Sequence, residues 1–374
     1  MKKYKSGQYI SQGYYKSFQP EPINKQLQIE DMEVLQLLSQ ADRELGRLDM
    51  YSKYIPNIDL FISMHVIKEA TKSSKIEGTQ TNMDEALLEK EDLPLEKRDD
   101  WEEVQNYIKA MEWAISELDR LPFSSRLIRE THRVLLQGVR GEKKQPGEFR
   151  ISQNWIGGAS INDAVFIPPV HNSVSELMSD LERFIHNEEI YVPELLRIGL
   201  VHYQFETIHP FLDGNGRVGR LIIPLYLVSK GILQKPVLYL SDFFEKNRNF
   251  YYDNLTNVRE KNNIGQWFKF FLVGVIETAR YSIATFDGIM QLQKKTDIQI
   301  QSLGSRALKA KKVIDFLYDH PLITTEKVSA VASLSMPSSY KLISDLEAKG
   351  ILREMTGGQR SRMYVFDDYM KLFR

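Results

Sequence analysis

The sequence predicts a mainly α-helical protein with one β-hairpin insert and a C-terminal winged helix-turn-helix unit. Three observations carry this expectation. Apolar residues recur at helical spacing through most of residues 29–300. One stretch, GGASINDAVFIP at 157–168, breaks that period: it is glycine-rich, then alternating, then stopped by Pro168 and Pro169. Past Gly304 the pattern shortens into three helices followed by two strands.

Taken in order, residues 1–28 are rich in Tyr, Gln, Lys and Pro without a sustained period, and read as an extended arm packed on the rest or as a frayed terminus. Val34, Leu35, Leu37, Leu38 and Leu45 mark a first helix. A second begins at the N-cap Asp59 and runs through Leu60, Met64, Ile67 and Ala70 to Glu77, with Gly78 in the C′ position. The charged segment 89–100 reads as a solvated loop, and residues 101–118 as the next helix. Residues 266–300 have few breakers and read as one or two long helices. Beyond them come helices at 306–318, from about 325, and at 337–349, capped by Gly350. Strands near 351–353 and 363–366 flank a turn at Thr356-Gly357-Gly358. The chain thus divides into 1–122, 123–304 and 305–374.

Composition excludes several classes of function. Of 374 residues, 42% are hydrophobic and 26% charged, so the chain can bury cores and is not mainly disordered. Lys and Arg number 49 against 50 Asp and Glu, which leaves no whole-chain charge argument for nucleic acid or membrane. The absence of cysteine removes disulfides, thiolate zinc sites, iron–sulfur clusters and cysteine nucleophiles. The longest apolar stretch, Leu221–Val228, has 8 residues and contains Pro224, far short of the roughly 20 a membrane helix needs. The basic N-terminus, MKKYKSGQYI, has no apolar h-region. A cytoplasmic location without membrane contact is the expectation.

The chemistry concentrates in HPFLDGNGRVGR, residues 209–220. Asp213-Gly214-Asn215-Gly216 forms a tight turn leading into a helix with apolar Val218, Leu221, Ile222 and Leu225. Glycines there allow close backbone approach, and free N–H groups at the helix start, with the dipole behind them, favour phosphate. Arg217 and Arg220, three apart, supply two cationic clamps on the first turn. Asp213 is a hard oxygen donor suited to Mg²⁺, and His209 is a general-base candidate. A base, a metal ligand, an anion hole and two arginines are the equipment of phosphoryl or nucleotidyl transfer.

This stretch resembles the Fic-domain signature HxFxDGNGRxxR at all eight fixed positions: His209, Phe211, Asp213, Gly214, Asn215, Gly216, Arg217 and Arg220. A chance match in this chain is on the order of 10⁻⁸. The resemblance implies a helical Fic fold with a β-hairpin flap, and transfer of AMP from ATP to a Tyr, Thr or Ser hydroxyl of a target protein. It implies that His209 deprotonates the hydroxyl, Phe211 anchors the loop, and Asp213 holds Mg²⁺. Gly214, Asn215 and Gly216 would form the anion hole, with Val218 and Gly219 in the same nucleotide-binding turn. Arg217 would meet the phosphate chain and Arg220 the γ-phosphate.

Three further segments look like family features. Pro146, Gly147 and Arg150, then Asn154, Trp155, Ile156 and Gly157, resemble the run leading into the flap. Gly157, Gly158, Val165, Phe166 and Ile167 would be that flap, whose open strand edge could hold a target by main-chain pairing. Tyr251-Tyr252 falls where relatives meet adenine, with Tyr252 preferred. Ser73-Ser74-Lys75-Ile76-Glu77-Gly78 resembles the inhibitory motif [S/T]xxxE[G/N]. Glu77 could pair with Arg220 and deny it to the γ-phosphate, with Ser73 one turn earlier bracing the carboxylate.

Three rival readings stand beside this one. His202, Glu206, His209 and Asp213 have helix-compatible spacing for a zinc hydrolase, although no HExxH is present; otherwise His202 and Glu206 would be a hydrogen-bonded pair supporting the site. Residues 305–374 hold 12 Lys and Arg against 8 Asp and Glu. Ser338, Ser339, Lys341 and Ser344 on the third helix, with Arg353, Arg360 and Arg362 near the wing, suggest a DNA-binding regulator, or else a protein-docking unit. Lastly, Glu77 could position water so that the enzyme removes AMP. The implied partners are a target protein or the chain itself, DNA or protein at the winged helix, and a second copy in a homodimer. His65, His132, His171, His186 and His320 are read as locally satisfied, without functional roles.

Overall fold

The computed structural model describes residues 4–54, 58–355 and 362–374. The side chain of Leu60, the turn at Thr356-Gly357-Gly358, and Arg360 lie outside the described residues.

The chain opens with an antiparallel hairpin, β1 (Gly7–Ser11) and β2 (Lys16–Pro20). The N-terminal arm is therefore ordered. Its polar sequence hides the strands because their anchor is mainly one side chain, Phe18, which is wholly buried. Helices α1 (Met32–Tyr54) and α2 (Ile58–Ile76) follow as read, with Gly78 in the left-handed region at φ 106°. A short α3 (Met83–Ala86) starts in a capping box between Asn82 and Glu85. The charged segment expected as a loop instead holds two 3₁₀ turns, Lys90–Asp92 and Leu95–Lys97, and α4 (Arg98–Glu117) starts within it. Arg98 anchors that start by donating to the carbonyls of Leu93 and Glu91.

Helices α5 (Ser125–Leu135), α6 (His171–His186), α7 (Glu194–Ile208) and α8 (Asn215–Ser229) form the centre. Every residue of α7 from Leu195 to Ile208 is buried. A helix buried on all sides belongs inside a bundle, and α7 is packed by α1, α6, α8 and the later α11. Next come α9 (Ser241–Lys246), α10 (Arg248–Lys261) and a single long α11 (Ile264–Gln301), against which α1 packs lengthwise.

The expected flap hairpin at 157–168 is reduced to one antiparallel bridge, Ile156 with Phe166. Gly157 and Gly158, at φ 69° and 74°, turn the chain, and Asp163 accepts from the backbone N–H groups of Ala159 and Ser160. Pro168 and Pro169 have no N–H to extend a ladder, so the return strand stops after one pairing.

The C-terminal segment holds α12 (Ala307–Asp319), β3 (Leu322–Thr324), α13 (Thr325–Ala332), α14 (Met336–Ala348), β4 (Arg353–Glu354), β5 (Met363–Val365) and α15 (Asp367–Met370). Its sheet is antiparallel in the order β3-β5-β4, with Val365 opposite both Leu322 and Arg353. Strand β3 is too short, at three residues, to show a period in sequence.

Candidate functional site

The site forms where α7 ends and α8 begins. His209 ends α7 at φ 51°, a left-handed conformation that costs a side-chain-bearing residue about 1 kcal/mol. The surrounding backbone is held tightly enough to impose it. Arg150, fully buried, donates from Nε to the His209 carbonyl at 2.9 Å and from its terminal nitrogens to the carbonyls of Ser152, Pro169 and Ile208. Asn154 donates to the carbonyls of His209 and Phe211. Asn215 closes the loop from inside: its Oδ1 accepts from Phe211 N and its Nδ2 donates to Phe211 O, both at 2.8 Å.

His132, read from sequence as an ordinary helix histidine, belongs to this scaffold. Its Nδ1 accepts from Gly147 N at 2.8 Å, so Nε2 carries the proton and donates to Asp213 O at 2.9 Å. Its ring stacks on Phe211 at 3.8 Å. Burial pushes its pKa down to about 4, which keeps that tautomer neutral. Nothing in the local sequence around His132 announces the role, because its partners are 15 and 81 residues away.

His209 is half-buried, and burial together with the Arg150 charge pushes its pKa down to about 4. It is therefore neutral at pH 7, the form a general base requires. Beside it, Gly214 at φ 74° starts α8 without a side-chain cap. The first N–H groups of that 15-residue helix are thus left for an anion. Asp213 is half-exposed and accepts from Gly214 N at 2.5 Å and from Arg217 Nη2 at 3.4 Å. Arg217 also donates to Glu103 on α4 at 3.3 Å, a carboxylate shared with Arg140. Arg217 is held toward α4, and Glu103 and Arg140 are site neighbours that their sequence context does not mark.

Glu77 occupies the place an anion would take. Arg220, 2% exposed, donates from Nη2 to Glu77 Oε1 at 2.6 Å. Ser73 braces the same guanidinium, its hydroxyl receiving Nε at 2.8 Å and its carbonyl Nη2 at 3.0 Å. A Cβ built on Gly216 would stand 2.2 Å from Glu77 Oε1, so the carboxylate lies directly over the first turn of α8. Burial opposes charge on Glu77, but Arg220 and then Arg217 outweigh it and hold its pKa below the usual value. Helix α2 is pinned one turn earlier, where buried Glu69 accepts from Tyr107 on α4 and from Ser241 on α9.

The expected pairing of His202 with Glu206 is not made. His202 Nδ1 donates to the Gly219 carbonyl and Nε2 accepts from the Tyr251 hydroxyl, both at 2.8 Å. Both nitrogens are spent, and among the described residues no group of three or more His, Cys, Asp or Glu could hold a metal ion. The zinc reading is thereby removed. Glu206 instead lies against Gly219 with Oε1 unpartnered, and burial pushes its pKa up to about 7.

Tyr252 is part-exposed beneath Arg248, and its phenol feels the charges of Glu77 and Arg220, whereas Tyr251 is buried against Phe244. Val218 and Gly219 are buried in α8. In the flap, Val165 is 81% exposed, while Phe166 and Ile167 are buried, with Arg259 over the Phe166 ring. The flap edge expected to be open is partly taken: Phe18 N donates to Ile167 O at 2.9 Å, so β2 lies alongside it. In the C-terminal unit, Ser338, Lys341 and Ser344 are exposed. Ser339 is buried and bonds to Ser335 O, while Arg353 pairs with Asp367 and Arg362 with Glu354. Those carboxylates reduce the positive surface expected for nucleic acid. No helix among the described residues is long and apolar enough to cross a membrane.

Comparison with known proteins bears on the family and the fold. Residues 35–116 match the profile described as Fic/DOC family N-terminal, and residues 122–227 that described as Fic/DOC family. The chain is 34% identical over 132 residues to the protein adenylyltransferase Fic of Culex quinquefasciatus, a stretch covering 35% of this chain and 23% of that one. It is 32% identical over 134 residues to the protein of the same name from Aedes aegypti, covering 36% and 24%. The matched region thus spans about a quarter of these relatives. A Fic family protein from Desulfovibrio desulfuricans G20 superposes with a TM-score of 0.57 at 18% identity, covering 91% of this chain and 98% of that one. A Fic domain containing signaling protein from Bacteroides thetaiotaomicron VPI-5482 gives 0.53 at 20% identity, covering 68% and 97%. These structures share the fold.

Proposed function

The chain belongs to the Fic/DOC family, and from that premise we propose that it is an ATP-dependent protein adenylyltransferase restrained by Glu77. The observation that carries this reading is the Glu77 carboxylate seated on the first turn of α8 and bonded to Arg220. A site that takes a carboxylate over free helix N–H groups and a buried arginine is built for an anion. Withdrawal of Glu77 would open it to the phosphates of ATP.

In the open state the N–H groups of α8 and the Arg220 guanidinium bind and orient the triphosphate. Neutral His209 accepts the proton of the target hydroxyl. That oxygen forms a bond to the α-phosphorus, the bond to the bridging oxygen breaks, and pyrophosphate leaves. Asp213 fits Mg²⁺, since one half-exposed carboxylate beside a phosphate site is how this ion is commonly held together with its substrate. The ion would neutralise charge on the phosphates. The flap beside the site, with Val165 at its exposed tip, would position the target, and Tyr252 would face the nucleotide base.

We read residues 1–122 as the regulatory region, 123–304 as the catalytic core and 305–374 as a winged helix. The paired arginines of that last unit favour contact with protein over contact with DNA. Incubating Glu77→Gly with ATP labelled at either the α- or the γ-phosphorus tests the activity. Protein-bound label from the α position alone supports adenylyl transfer, whereas label from the γ position would overturn it.

A further inference from the structure

On another flank of the inhibitory helix, α2, α9 and α11 enclose a cavity of about 220 Å³. It shares Lys68, Asp242 and Lys246 with an adjoining cavity of about 530 Å³. Neither reaches His209 or Arg220. We propose that the two cavities together bind a small organic anion, its aromatic body in the smaller one and its phosphate-like head in the larger.

The walls of the smaller cavity are aromatic: Tyr239, Phe243, Tyr281 and His65 all line it. Two polar atoms there have no partner in the protein, His65 Nε2 and the Tyr239 hydroxyl, and both residues are more than nine-tenths buried. A buried polar atom left without a partner is costly, so both call for a ligand group able to hydrogen-bond. In the adjoining cavity the buried Thr81 hydroxyl is likewise unpartnered.

Charge sets the sign. Lys68, Lys72 and Lys246 converge on the one carboxylate of Asp242, while Lys72 and Lys75 share Glu245. The positive excess lies in the larger cavity, where Lys68, Lys72, Lys75, Lys246 and Arg374 face Asp84 and Asp242, whereas in the smaller one Glu69, Asp242 and Glu277 stand against Lys68 and Lys246. Lys68 is itself buried, 4.0 Å from the Tyr281 ring centre, so its charge is poorly screened. Glu69 on the wall is already engaged by Tyr107 and Ser241, and Glu277 at the rim is solvent-exposed.

A ligand here touches α2 through His65 and Lys68, α9 through Lys246, and α11 through Tyr281. It therefore ties the helix that carries Ser73 and leads into Glu77 to its neighbours. A ligand that favours the seated position of α2 shifts the population toward the inhibited state. This consequence, unlike the binding itself, rests on the function proposed above.

Calorimetric titration of the full wild-type chain with phenyl phosphate tests the site, because Glu77 closes the other anion site in that protein. The expected result is one binding site, tighter than for inorganic phosphate or phenol alone. Lys246→Gln, at an exposed position that leaves folding intact, should weaken it about tenfold, and Tyr239→Phe about fivefold. Thr278→Trp, filling the smaller cavity from its wall, should abolish it. Absence of binding, or binding indifferent to all three variants, would overturn the proposal. Phenyl phosphate should also slow AMP transfer by wild type but not by Lys246→Gln. Site-specific binding without that effect contradicts the coupling and leaves the site standing. Absence of AMP transfer altogether counts against the proposed activity and leaves the binding result unaffected.

Discussion

Glu77 Oε1 receives Arg220 Nη2 at 2.6 Å, and the same oxygen lies over Gly216, where an added Cβ would stand only 2.2 Å away. One carboxylate thus bonds the arginine and lies over the start of α8, the two groups proposed to bind phosphate. Regulation in this account is a competition between two anions for one place. The folded protein keeps Glu77 charged because Arg220 and Arg217 outweigh the effect of burial.

Gly216 has to lack a side chain. In a Glu77→Gly background, Gly216→Ala places a methyl group where phosphate approaches α8, with Arg220 Nη1 3.0 Å from it. AMP transfer should fall by about 10²-fold, the size of effect that follows loss of a transition-state donor. Steady-state labelling across ATP concentrations checks this, and a rate within twofold of the parent would refute the close approach.

His209→Ala should abolish AMP transfer while ATP binding in the Glu77→Gly background persists. In the parent, the low His209 pKa, set by burial and Arg150, predicts a flat pH–rate profile from pH 8 to about pH 5, with loss only as pH falls toward 4. A profile that titrates near 6.5 would show that the imidazole is not held neutral in this way.

Arg150→Ala leaves the carbonyls of Ser152, Pro169, Ile208 and His209 without their buried donor. Losing such a hub should cost about 3 kcal/mol in urea unfolding. The left-handed turn at His209 should relax as well, so transfer falls even in protein that remains folded. Wild-type stability in this variant would mean that the carbonyls find other partners.

Three buried histidines make the fold acid-sensitive. Burial lowers His65 and His202 to about 3 and His132 to about 4, while each returns to about 6.5 when unfolded. The unfolded chain then binds more protons between those values, so stability is full above pH 6.5 and declines as pH falls toward 4. The slope is about 1.4 kcal/mol per pH unit for each such histidine. Urea unfolding at pH 7.5, 6 and 5 measures it, and a constant midpoint would contradict the neutral buried state of these residues.

Much of this candidate site was legible because the motif is contiguous: residues 209–220 carry the imidazole, the turn and the arginines in one run, and Ser73 and Glu77 lie one helical turn apart. What escaped depends on distant contacts. His132 works through Gly147, Asp213 and Phe211, and Glu103 through Arg217 and Arg140; no spacing rule links those positions. His202 and Glu206 sit at helical spacing, yet α8 and Tyr251 draw His202 away, so i,i+4 geometry alone misassigned its partner. The hairpin at β1 and β2 and the three-residue β3 lack the length over which alternation becomes visible, and the flap lost its ladder to two prolines.

Closure of the proposed phosphate site by Glu77 is measured most directly by comparing AMP incorporation from α-labelled ATP by wild type and Glu77→Gly at equal concentration. The variant should be faster by about 5–150-fold, the usual span of such couplings. Equal or slower incorporation by Glu77→Gly would contradict it.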